Sequence, residues 1–136
     1  MSIIQAIVGT SGTASPRFVV DSWGSPINEG ATTYINYSFY NYATPTTLYW
    51  TINNANTDST DFTGSTSGSF VASGNGSGSF SYTVTADLKT EGQEYFYVYI
   101  GTSPGGTDLW TMTIYVNDTS TTPPFVYNDF TIEWWQ

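Results

Sequence analysis

The sequence predicts an all-β protein, a sandwich of about seven strands with extra strands or arms at its N- and C-terminal ends. Three observations carry this. Apolar and polar residues alternate at period two along most of the chain, and no long segment shows a 3.6-residue stripe. Clusters rich in Gly, Pro, Asn and Ser interrupt the alternation at short intervals: SPINEG, NNANTDSTDFTG, SGNGSG, DLKTEG, GTSPGGTD and DTSTTPP. A length of 136 residues suits one domain with a core of ordinary size.

Taken in order, the predicted strands begin with the apolar run Ile3–Val8 and then Arg17–Asp21. Next come Ala31–Tyr40, which points Ile35, Tyr37 and Phe39 inward, and Thr46–Asn53, which does the same with Leu48, Trp50 and Ile52. Ser67–Ala72 precedes the SGNGSG turn, and Gly78–Ala86 follows it with Phe80, Tyr82 and Val84 inward. Glu94–Ile100 buries Phe96, Val98 and Ile100, and Leu109–Asn117 buries Trp110, Met112, Ile114 and Val116. The last predicted strand, Phe130–Trp135, alternates Phe130, Ile132 and Trp134 with Thr131, Glu133 and Trp135, so aromatic rings lie on both of its faces. Residues 1–16 therefore read as an N-terminal arm and tether, 17–120 as the sandwich, and 121–136 as a C-terminal aromatic arm.

Composition narrows the chemistry. The chain has no cysteine and no histidine, which removes disulfides, thiol nucleophiles, imidazole-based zinc sites and every Ser-His mechanism. Its formal net charge is −9, with Arg17 and Lys89 the sole basic side chains, so phosphate backbones and anionic lipids are expected to be repelled. Neither nucleic acid nor membrane is an expected partner. The opening MSIIQAIVGT has a short apolar run and no basic flank, a poor match to a secretory signal, and no stretch approaches a membrane span.

Two constellations stand out. Glu29, Asp58, Asp61, Asp87, Glu91, Glu94, Asp108 and Asp118, eight of the eleven acids, fall where strands give way to turns. A sandwich delivers its loops to two common ends, and hard divalent cations need oxygen ligands from several loops. The same acids also suit capping of turn N–H groups or pairing with Lys89 and Arg17. The second constellation is a set of outward-facing tyrosines, Tyr49, Tyr95, Tyr97, Tyr99 and Tyr115, interleaved with threonines on strands expected to be neighbours. Phenol rings bury large area at small entropic cost, so the stripe reads as an interface, against the plainer reading of high β-propensity.

Four motifs occur in order: INEGA at 27–31, TTLYWTIN at 46–53, STDFTG at 59–64 and TADLKTEGQEYFYVYI at 85–100, closed by TIYVNDTS at 113–120. Together they resemble the Calx-beta family, in particular its repeats in phage and bacterial surface proteins. The resemblance implies an immunoglobulin-like sandwich with carboxylates converging at one end. The calcium ligands it implies are Glu29, Asp61, Asp87, Glu91, Glu94 and Asp118. Consecutive aspartates of family calcium sensors are replaced here by Ala86–Asp87 and Asn117–Asp118–Thr119, which implies fewer ions and lower affinity.

Beyond Ser120 the resemblance stops. The C-terminal arm presents Phe125, Phe130, Ile132, Trp134 and Trp135 as further interface candidates. Terminal apolar strands either lengthen their own sheets or add to a neighbouring subunit. A non-enzymatic virion structural protein is the function this predicts: a capsid decoration or small tail component, made in the host cytoplasm and docking on other virion proteins or on copies of itself. The alternative is a calcium-assisted extracellular adhesion or glycan-binding module of a surface protein. A glycosidase built on Glu91 with Glu94 or Asp61 is disfavoured, since strand-edge acids without a long loop make no cleft.

Overall fold

A computed structural model describes residues 13–121 as strands and connecting turns, with no helix. The strands are β1 (Arg17–Ser22), β2 (Ile27–Asn28), β3 (Thr32–Asn54), β4 (Phe62–Thr63), β5 (Ser67–Val84), β6 (Glu94–Gly101) and β7 (Trp110–Asn117). The strands predicted at Ile3–Val8 and Phe130–Trp135 lie outside the described residues.

Hydrogen bonds join the strands in the order β2-β7-β6-β3-β5-β4, with β1 on the free flank of β3. The organising unit is the β3–β5 ribbon. Thr32 to Phe39 pair with Thr83 to Gly76, and Thr46 to Thr51 pair with Ala72 to Ser67. On the other flank, β1 pairs with the first half of β3 through residues 36–40, and β6 pairs with the second half through residues 49–54. Aromatic contacts between the halves show the ribbon folded over on itself. Tyr37, from the first half of β3, stacks on Phe70 at 4.2 Å, and Trp50, from the second half, stacks on Phe80 at 4.5 Å. Each long strand thus serves both layers of the sandwich.

The fold of the ribbon corrects two expectations. Ala31–Tyr40 and Thr46–Asn53 are one strand, bent where the register slips near Tyr42 and where Asn41 adopts φ 62°. SGNGSG is strand interior and not a turn. Two of its glycines lie under rings: a Cβ on Gly76 would stand 2.6 Å from Phe39, and one on Gly78 would stand 2.5 Å from the Tyr37 hydroxyl. Gly68 has the same relation to Trp50, at 2.6 Å. The aromatic side chains of β3 occupy the space that the β5 side chains give up, an aromatic-over-glycine pairing across the strands. Composition alone made these glycines look like punctuation. The two-residue strands β2 and β4 were not anticipated; they tie the NEG and DF motifs to β7 and β5.

Of the residues predicted to face inward, all are buried except Phe80 and Trp110, which pack half-exposed against the core. Ile35, Leu48, Phe96, Val98, Ile100 and Ile114 have no exposed surface, and at about 1.5–3 kcal/mol for each large apolar side chain they account for much of the drive to fold.

Candidate metal centre

Both ends of the long strands gather at one pole of the sandwich, and the acids gather with them. In the INEGA motif, β2 runs parallel to β7, the Glu29 N–H donates to the Asn117 carbonyl at 3.3 Å, and Gly30 turns the chain with φ 76°. The Ser120 hydroxyl donates to Glu29 Oε2, which fixes that carboxylate beside the end of β7. The β3–β4 loop is stitched to β6 by Asn56, whose N–H donates to the Tyr95 carbonyl and whose Oδ1 accepts from the Tyr95 N–H at 2.7 Å. Asp61 is brought inward by this loop and is 9% exposed; its side chain accepts from the Asp58 N–H, and its carbonyl accepts from Thr85 N–H at 2.8 Å.

Two groups of three carboxylates result. Asp61, Glu91 and Glu94 place one oxygen each within 4.8 Å of one another, as do Glu29, Asp87 and Glu91. Glu91 belongs to both. Calcium–oxygen distances of about 2.3–2.6 Å set opposed ligands roughly 5 Å apart, so each group is of a size to share one ion.

The two groups differ in how their charge is balanced. Lys89 sits in the second, 3.4 Å from Asp87 and 3.6 Å from Glu91, and its ammonium is held above its ordinary pKa chiefly by Glu91. The first group meets Lys89 only through the shared Glu91, and Asp61 and Glu94 form no ion pair among the described residues. Burial, followed by the fields of Asp61, Glu91, Glu29 and Asp58, pushes the Glu94 carboxyl up to about 7. Both causes disfavour the charged carboxylate, and a cation placed among these oxygens would oppose them. The donor set fits calcium: hard, anionic oxygens from three loops, with no nitrogen or sulfur.

Five of the six ligands implied by the sequence therefore come together. Asp118 falls in neither group. Its Oδ2 accepts from the N–H groups of Glu91 and Gly92 at 2.7 and 2.9 Å, and its Oδ1 accepts from Ser120 N–H at 3.1 Å. These bonds, that from Gly92 foremost, hold its carboxyl below the ordinary range. It positions the backbone of Glu91. Asp58 and Asp108 are turn caps: Asp58 accepts from the N–H and hydroxyl of Thr60 at 2.6 Å, and Asp108 from the N–H and hydroxyl of Thr102 at 3.0 and 2.7 Å. Arg17 joins no acid group; its guanidinium lies 5.9 Å from the Tyr40 ring. Ser120, which orients Glu29, was missed in the sequence, although an Asp two residues before a Ser is a common turn-capping pattern.

The tyrosines Tyr49, Tyr95, Tyr97, Tyr99 and Tyr115 share the outer face of the adjoining strands β3, β6 and β7, as expected. Phe125, Phe130, Ile132, Trp134 and Trp135 lie outside the described residues.

Comparison with solved structures gives the apo form of the Calx CBD1 domain, with TM-score 0.59 and 16% identity over 76% of this chain and 96% of that one. The fold is that of the Calx calcium-binding domains. The calcium-binding domain CBD12 of CALX1.1 matches equally well, with TM-score 0.59 and 17% identity over 75% of this chain and 44% of that one. A β-glucosidase from Listeria innocua also aligns, with TM-score 0.50 and 10% identity, over 76% of this chain but 16% of that enzyme. No protein-family model and no curated protein matches the sequence. At these identities the Calx likeness concerns the fold, and the site rests on the residues described above.

Proposed function

We propose that this chain is a non-enzymatic, calcium-responsive binding module of a surface protein, of the adhesion type. The observation that carries this is the Asp61–Glu91–Glu94 group: one oxygen from each within 4.8 Å of the others, with Glu94 pushed up to about 7 by burial and then by the neighbouring acids. Calcium bound there supplies positive charge and ties the β3–β4 loop to the β5–β6 connection. Asp61 anchors the β3–β4 loop, Glu94 the start of β6, and Glu91, held through Asp118, the β5–β6 connection. The Glu29–Asp87–Glu91 group takes a second ion only by displacing Lys89, which makes it the weaker of the two.

A surface cavity of about 350 Å³ lies at the Asn41 bend, at the pole away from the acids, and no carboxylate lines it. The virion role read from the sequence rests on the repeat-like motifs and the terminal arms, whereas the acid group favours the calcium-assisted module.

Calorimetric titration with calcium chloride tests the reading, alongside Glu91→Gln, which removes the shared ligand. The unaltered protein gives saturable heat and a melting temperature that rises with calcium, and Glu91→Gln gives neither. Absence of heat and of a melting shift at 10 mM calcium, a concentration above the range of weak extracellular modules of about 10⁻⁴–10⁻³ M, defeats the proposal.

A further inference from the structure

Apart from its acidic pole, the sandwich presents one other surface of unusual composition. The outer face formed by the first half of β5, the second half of β3, β6 and β7 carries no charged side chain, in a protein of net charge −9. Down its middle runs a column of rings on β6. Tyr95 and Tyr97 meet edge to face at 5.8 Å, Tyr97 and Tyr99 stack at 6.0 Å, and Tyr115 crosses from β7 to Tyr95 at 5.9 Å. Tyr115 is 46% exposed, and Thr111 and Thr113 flank the column on β7. Negative charge stands at both ends: Glu94 and the acid groups precede Tyr95, and Asp108 lies beyond Tyr99 in the β6–β7 turn, held ionised by its bonds from Thr102.

We propose that this face docks an extended, arginine-rich segment of a partner protein, laid along β6. Charge selects the occupant. A neutral aromatic column between two acidic ends attracts a cationic strand, and the tyrosine faces offer cation–π contacts to guanidinium groups. Arg17 on Tyr40 shows the same pairing within the chain. A second copy suits the face less well. Four strands about 4.8 Å apart and some six to eight residues long cover roughly 400–500 Å², below the ~800 Å² per partner of a standard interface, and two copies of charge −9 repel. A single strand needs far less area.

The inference does not depend on calcium, so its test is run in EDTA with the full chain in 150 mM sodium chloride. The probe is a blocked eight-residue peptide alternating arginine and threonine, followed by amide chemical shifts, with an alternating glutamate–threonine peptide as control. Shifts centred on Tyr97, Tyr99, Thr111 and Thr113 are expected with the arginine peptide alone. Affinity is expected to fall by about tenfold in the Tyr97→Thr/Tyr99→Thr variant, two exposed cation–π contacts being lost. Threonine keeps the β-propensity, and a melting curve verifies that the variant is folded. Shifts confined to the loops of Asp58, Asp87 and Glu91, unchanged affinity in the double variant, or no shifts at 1 mM peptide each overturn the proposal. A dimer formed through this face without peptide, seen by sedimentation, overturns it in favour of self-association.

Discussion

Glu94 gives the candidate centre a signature that pH alone reads out. Its carboxyl has an ordinary pKa of 4.5 and is pushed up to about 7 in the fold. Between those values the folded protein binds more protons than the unfolded chain, so stability falls as pH rises. Glu94 is half-exposed, water screens much of the interaction, and the loss between pH 5 and pH 8 is reduced to about 1 kcal/mol, or roughly 4 °C in melting temperature for a domain of this size. No histidine or cysteine titrates in this window, and Asp58, Asp108 and Asp118, whose pKa values are lowered, lend stability that is lost only as pH falls below the normal carboxylate range. Melting curves in EDTA at pH 5, 6, 7 and 8 are therefore expected to decline for the unaltered protein and to stay flat for Glu94→Gln. The terminal amine is common to both and cancels. Calcium has to displace the Glu94 proton, which makes its affinity roughly tenfold lower at pH 6 than at pH 8 if the group titrates at about 7. An equal slope in Glu94→Gln, or no slope in either protein, refutes the claim that uncompensated charge collects at this pole.

Other consequences follow from the packing. Gly68→Ala drives a methyl to 2.6 Å from the Trp50 indole and is expected to cost about 1–3 kcal/mol in urea unfolding, with partial recovery in Gly68→Ala/Trp50→Leu. Among the described residues the buried Tyr82 hydroxyl has no hydrogen-bond partner, while its ring packs on Phe62 and Phe96, so Tyr82→Phe is expected to raise stability by about 1 kcal/mol. Phe96→Ala empties a fully buried site and is expected to cost about 3–5 kcal/mol by the same assay. Asp118→Ala releases the backbone of Glu91 and is expected to weaken calcium binding roughly tenfold in calorimetry while leaving the core intact.

Period-two alternation made the layers of this protein legible because each strand has one buried face, and that face is apolar in every case from Ile35 to Val116. What alternation does not encode is where a strand ends. Gly74, Gly76 and Gly78 carry turn chemistry by composition, yet two of them are the only residues that leave room for Phe39 and Tyr37 across the ribbon, and the strand continues through them. Long-range packing against a ring outweighs local propensity there, and a single sequence displays the propensity but not the ring.

The candidate centre was legible for a different reason. The acids fall in the turns between strands, Glu29 just after β2 and Glu91 in the β5–β6 connection, and in a sandwich these turns converge at the ends by topology. Which acids gather into the candidate groups and which cap was not legible, because it turns on the direction of backbone N–H groups. Asp118 meets two such groups at 2.7 and 2.9 Å and works as a support, whereas Glu94 meets a partly dry surface and four acids, which push its carboxyl up to about 7. Asp118 and Glu94 therefore separate by sign: hydrogen bonds lower the pKa of the first, burial and then neighbouring acids raise that of the second, and the pH dependence of stability distinguishes them in a way that residue type and spacing do not.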